Sequence, residues 1–196
     1  MRLIFLIIII FIILIFFFKL NYNKMTYIQS TIDSNYYLVR DLPDKLIAAN
    51  MLANTKKNIN KLVDYLYKNK DTKYSEYNQY IKRLKERINN VNISENNGRG
   101  SDTSYSINKG DELVLCLRSR VSYQFHDNNL IFYVVLHEIS HIASPKYEEE
   151  FNNHGPLFKK IFEFITTIAT DTGLYNKIDF DAHPEEYCGI YINKSI

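Results

Sequence analysis

The sequence predicts an α+β domain, several helices carrying a small antiparallel sheet, behind an N-terminal transmembrane helix. Three observations lead there. Residues 3–18 (LIFLIIIIFIILIFFF) are apolar without interruption. Four later segments repeat apolar residues at helical spacing, and one segment among them alternates as a hairpin does. The chain, at 196 residues, has the length of one domain rather than two.

The N-terminal run, extended across Lys19 by Leu20, would rise about 25 Å as a helix. That is the short end of a bilayer span, roughly 17–25 residues. A cleaved signal would end in small residues, whereas Phe16, Phe17, Phe18, Lys19, Leu20, Asn21 and Tyr22 stand here. The expectation is a single-pass membrane protein with an anchor at 3–20, a juxtamembrane linker at 21–35 and one domain over 36–196. Arg2 on one side and Lys19 and Lys24 on the other leave its orientation open. The sequons at Asn92 and Asn193 bear only on a lumenal domain.

Asp41-Leu-Pro-Asp opens the first helix, with Pro43 and acids suited to a first turn. Leu46, Ala49, Leu52, Ala53, Ile59, Leu62, Val63 and Leu66 carry it to about residue 68. Tyr77, Ile81, Leu84, Ile88 and Val91 mark a second, from about Tyr74 to Asn90. Thr103, Tyr105 and Ile107 alternate with serines, residues 108–111 turn, and Glu112–Arg118 (ELVLCLR) is a short apolar strand. Asp127 is an N-cap for a third helix, 128 to about 143. Gly155-Pro156 opens a fourth, to about Thr170, and the tail holds one short extended segment.

Composition narrows function. Once Arg2 and Lys19 are set aside, the remainder holds 22 basic and 22 acidic residues. That balance makes nucleic acid an unlikely partner, because phosphate binding needs a basic excess. Two cysteines exclude a disulfide-framework mini-domain. Cys116 and Cys188 lie in apolar surroundings and read as buried free thiols, with a disulfide between them the alternative in an oxidising compartment.

Chemistry concentrates in His137-Glu138-Ile139-Ser140-His141. Residues four apart share a helix face, so both imidazoles reach one metal ion. Glu138 lies about 100° round the helix, beside a water on that metal rather than in a ligand position. A catalytic zinc takes three protein ligands and keeps the fourth position for water. A histidine six residues after the second would complete one known pattern, but Tyr147 stands there. Glu163 and His154 are the remaining choices. Glu163 lies opposite the apolar stripe of its helix, four residues after Lys159, as a solvent-facing partner would. His154 directly precedes a rigid Gly-Pro turn and is preferred. The strand Glu112–Arg118 reads equally as a core strand or as an edge that pairs with an extended substrate.

HEISH followed by HGPLF resembles the SprT-like and WLM-domain zinc metallopeptidases, whose pattern is H-E-x-x-H, a variable loop, then H-G-x-x-F. SYSINKGDELVLCLR, HGPLFKKIFEFI, HPEEYCG and YLVRDLPDKLIAANMLA are similar to WLM-like proteins of large eukaryotic DNA viruses. The likeness covers roughly residues 36–192. It implies a minimal zincin-like fold, Zn²⁺ held by His137, His141 and His154, Glu138 as catalytic acid/base, and a protein or peptide substrate. The DNA-binding extensions of the crosslink-repair members are not evident, so peptidase chemistry is carried over and that role is not. The alternative is a non-catalytic zincin-like binding or structural protein of a viral or cellular membrane.

Other residues take plainer readings. Tyr187 or His183 is a candidate donor to a developing oxyanion. His183 and Cys188 would overfill a three-ligand site. His126 reads as a loop residue, and Arg118 and Arg120 as strand-end charges.

Overall fold

The computed structural model describes residues 4, 5, 7–12, 24–145 and 154–194. It is α+β, with three small sheets around four helices. The expected transmembrane helix is corrected: no helix among the described residues is long and apolar enough to cross a membrane. The single-pass localisation falls with it. Residues 4, 5 and 7–12 of the apolar run are helical, and the rest of the expected anchor lies outside the described residues.

Strands β1 (Met25–Gln29) and β2 (Tyr36–Arg40) form an antiparallel hairpin, Met25 opposite Arg40 and Gln29 opposite Tyr36. β1 thus begins inside the stretch read as linker. Helix α1 (Lys45–Asn69) buries Ala49, Leu52, Ile59, Leu62, Val63 and Leu66, the stripe its periodicity announces. A 3-10 turn at Ser75–Tyr77 leads into α2 (Asn78–Ile88), which buries Ile81, Leu84 and Ile88.

The central sheet has the order β3-β5-β4, built from β3 (Asn92–Glu95), β4 (Tyr105–Ile107) and β5 (Glu112–Leu115). It is mixed rather than wholly antiparallel: β3 runs parallel to β5, Asn92 opposite Glu112, while β4 is antiparallel to it. The apolar strand ELVL is therefore the middle of the sheet, and β4 is its edge. Asn108 and Lys109, both at positive φ, turn β4 into β5. Gly110 closes that turn at φ +118°, where a Cβ would come within 3.1 Å of Arg87.

Helix α3 (Asn128–Ala143) starts on Asp127, whose carboxylate accepts the Asn129 N–H at 2.8 Å. It is buried on nearly every face, from Leu130 to Ala143. Such a helix belongs at the centre. It packs against α2, the central sheet and α4 (Pro156–Asp171). Its C-terminal carbonyls are capped from α2: Arg83 Nη1 donates to Ala143 O at 3.0 Å and Arg87 Nη1 to Ile142 O at 3.1 Å. Cations suit that negative end of the helix dipole. At the other end Asn129 and Asn176 exchange two hydrogen bonds, of 2.7 and 2.8 Å, which tie the segment after α4 to α3.

Arg118 is not a strand-end charge but a buried tie, 5% exposed. Its Nε donates to Glu95 Oε1 at 2.9 Å, and its two Nη atoms grip Asp44 at 2.7 and 2.8 Å. Glu95 also accepts the Arg40 N–H at 2.8 Å, and the guanidinium lies over the Phe125 ring at 3.9 Å. One side chain thereby joins the start of α1, the ends of β2 and β3, and the segment after β5. The guanidinium holds the Asp44 carboxyl below the usual carboxylate range. Replacing Glu95 by Ala should destabilise the fold by about 3 kcal/mol, since it leaves the buried Arg118 Nε and Arg40 N–H without their acceptor while Asp44 still pairs with the guanidinium. Lys45→Ala, which breaks an exposed pair with Asp41, should cost below about 1 kcal/mol. Urea unfolding of the two variants side by side checks the contrast.

Candidate metal centre

His137 and His141 project from one face of α3, and His154 directly precedes the Gly155-Pro156 pair that starts α4. The three Nε2 atoms form a near-equilateral triangle: 3.2 Å between His137 and His141, 3.2 Å between His141 and His154, and 3.1 Å between His154 and His137. The structure thus brings together all three residues singled out as ligands, and they are a group able to hold a metal ion. The centre of such a triangle lies about 1.8 Å from each corner, close to the roughly 2.0–2.1 Å of a zinc–imidazole bond. The three residues fit such an ion: His137, His141 and His154 would hold it through their Nε2 atoms.

Local sequence explains the convergence. Gly155 is the N-cap of α4 and Pro156 its first residue, so the direction of His154 is fixed by a rigid helix start. Phe158, one turn on, is buried against all three imidazoles. Its ring stacks on His141 at 4.2 Å and meets His154 at 4.9 Å and His137 at 5.0 Å. Phe162 closes on His137 at 5.2 Å. This aromatic wall holds the rings and dries them. Burial, reinforced by the neighbouring imidazoles, lowers His137 to about 3. Burial, with His154 and Lys109 beside it, lowers His141 to about 4. Both rings are neutral at physiological pH, the form that ligates. Glu163, the rival candidate, is exposed on α4 and apart from the cluster.

Glu138 is buried and shares with His137 the wall of a cavity of about 520 Å³. The opposite wall escaped the sequence reading. It is the tail hairpin, β6 (Glu185–Tyr187) and β7 (Ile190–Ile192), two antiparallel strands where one extended segment was expected. The sequence signal was slight, a glycine between Tyr187 and the β-favouring Ile190-Tyr191-Ile192; in the structure both turn residues, Cys188 and Gly189, take positive φ.

The hairpin is latched beside the site. Cys188 is disulfide-bonded to Cys116 at the end of β5, with Cα atoms 6.1 Å apart, which corrects the reading of free thiols. The Cys188 N–H donates to His126 Nε2 at 3.1 Å, and the His126 ring stacks on Tyr187 at 4.8 Å. His126 is thus a buried positioning residue. Tyr187 lines the cavity, but its hydroxyl is hydrogen-bonded to Ser104 Oγ at 2.6 Å. His183, the other proposed oxyanion donor, is exposed and away from the cavity lining.

No family model matches the chain. It is 42% identical over 174 residues to the uncharacterized protein R325 of Acanthamoeba polyphaga mimivirus, covering 89% of this chain and 85% of that one. The chain belongs to the family of that mimivirus protein. Among solved structures it is similar to Wss1 from Saccharomyces cerevisiae, with 20% identity, a TM-score of 0.45, and coverage of 69% of this chain and 89% of Wss1. A Wss1 mutant gives 21% identity, a TM-score of 0.43, and coverage of 70% and 92%.

Burial lowers the pKa of His126 below its ordinary 6.5, and its Nε2 must be unprotonated to accept from Cys188. The unfolded chain therefore binds more protons than the folded one, so this contribution is complete above the ordinary value and is lost as pH falls below it. His126→Gln should cut the loss of unfolding free energy between pH 7 and 5.5 by up to about one proton's worth of slope. Urea titrations of both proteins at the two pH values measure it.

Proposed function

We propose that this member of the R325 family is a zinc-dependent metallopeptidase of WLM type, with His137, His141 and His154 as ligands and Glu138 as acid/base. The observation that carries the reading is the triangle of Nε2 atoms, 3.1–3.2 Å on edge, with a buried carboxylate on the residue after the first histidine. Three imidazoles and an open fourth side are the donor set of a hydrolytic rather than a structural zinc site. When bound there, zinc supplies Lewis acidity that polarises a carbonyl and makes water nucleophilic near neutral pH.

The chain's own groups do the rest. Glu138 accepts the proton of the attacking water and returns it to the departing amide nitrogen, so one carboxylate serves as base and then acid. Its position at the cavity wall puts that exchange where bulk water is thinned by Phe162 and Tyr187. Strand β4, with one side paired to β5, leaves its other side for an extended peptide to add as a further strand. The peptide then lies across the opening of the histidine cluster, because β4 packs against α3.

Wild-type protein should carry about one equivalent of zinc and cleave casein in a chelator-sensitive way. Glu138→Gln should retain the metal and lose proteolysis by about 10²–10⁴-fold. His154→Ala should lose the metal as well. Elemental analysis paired with casein hydrolysis separates the two; undiminished cleavage by Glu138→Gln would remove Glu138 from the chemistry, and a wild type without chelator-sensitive cleavage would leave a binding protein as the better reading.

A further inference from the structure

The cavity beside the histidine cluster carries a chemistry that metal binding and water activation do not use. Its walls are apolar, Phe162 and Tyr133 on one side and Ile190 and Ile192 on the other, yet it also takes in Lys159 and Lys194. Glu138 is the one acidic residue in the lining. With a divalent cation in place the balance at the cavity is strongly positive, and the apolar walls strengthen any charge interaction there.

Lys159 is where a helix does not favour a cation. It lies in the first turn of α4, which has no acidic residue to offset the positive end of the dipole. Its neighbour Lys160 is compensated by an ion pair with Glu76. Lys159 instead faces the cavity. Lys194 reaches the same cavity from just beyond β7, on the hairpin that Cys116–Cys188 and His126 hold in place. Two exposed lysines from separate elements thus border one largely apolar space, from which their ammonium groups can reach a bound peptide. Among the described residues, neither forms an ion pair within the chain.

We propose that this cavity is a specificity pocket for a peptide that presents a large apolar side chain together with an adjacent carboxylate, read by Lys159 and Lys194. The inference rests on the peptidase reading for its function, not for its binding chemistry. A volume of about 520 Å³ holds an aromatic or long aliphatic side chain with space beside it for part of the next residue. The carboxylate comes from an acidic side chain next to the apolar residue or from a free chain terminus. A lysine or arginine in that place meets like charge on both flanks.

Four fluorescent peptides differing only beside a fixed Phe test this: Glu, Gln and Lys with amidated termini, and Gln with the free C-terminus directly after it. Anisotropy with zinc-loaded Glu138→Gln reads binding, and kcat/KM of the wild type reads turnover. The carboxylate peptides should exceed the amidated Gln peptide by about tenfold in both, and the Lys peptide should rank last. The Glu and free-terminus arms tell which source is preferred. Lys159→Glu/Lys194→Glu, with zinc content measured to verify the fold, should reverse the order. Equal binding of all four, or a preference that survives the double variant, overturns the proposal. So does a single-stranded oligonucleotide that binds more tightly than the Glu peptide, since the lysines then serve phosphate. If the wild type cleaves nothing, the peptidase reading fails, and anisotropy alone decides the pocket.

Discussion

Three imidazole nitrogens held within 3.2 Å of one another are the constraint around which the rest of this chain is arranged. Separately hydrated rings would not approach so closely, and protonated ones would repel. The fold meets the constraint by fixing two rigid starting points. One is α3, buried on nearly all sides, capped at its start by Asp127 and at its end by Arg83 and Arg87 of α2. The other is the Gly-Pro start of α4. Phe158 then sits between them and touches each ring, so the wall that positions the imidazoles also excludes the water that would charge them.

A second layer of the molecule exists to place the cavity wall. The hairpin β6–β7 is too small to fold alone, so it is fastened through Cys188, by the disulfide to Cys116 and by the hydrogen bond to His126. A bridge spanning 72 residues stabilises by about 4 kcal/mol on the chain-entropy model. It also presupposes surroundings that keep thiols oxidised. The Arg118 tie starts two residues further along the chain from Cys116. It fastens the start of α1 and the ends of β2 and β3 to the segment that leads into His126. Hairpin and tie thus converge on the short stretch between β5 and α3.

What the sequence disclosed and what it hid divide along the range of the interactions concerned. Helices α1 to α4 were legible because 3.6-residue periodicity and caps such as Asp127 and Gly155-Pro156 are local. The histidine cluster was legible for the same reason: i and i+4 on one helix, then a histidine pinned by a helix start. Arg118 was misread because its partners, Glu95 and Asp44, lie 23 and 74 residues away. The parallel pairing of β3 with β5 was missed because no local pattern reports a partner strand across a crossover. The apolar run at 3–18 was read as a span because no polar face interrupts it.

The two histidines of α3 bring these threads together. Their depressed pKa values, about 3 and about 4, arise first from burial, and burial of a neutral imidazole is itself tolerable. What strains the arrangement is three imidazole nitrogens converging on one point, two from half-buried rings and one from the exposed His154. A cation resolves that frustration and a proton does not, because one proton satisfies two nitrogens at most and adds charge where burial opposes it. The cluster is therefore preorganised against protons and towards a metal ion. The adjacent Glu138, one residue along the same helix, is the one acidic side chain in the lining of the cavity beside the cluster.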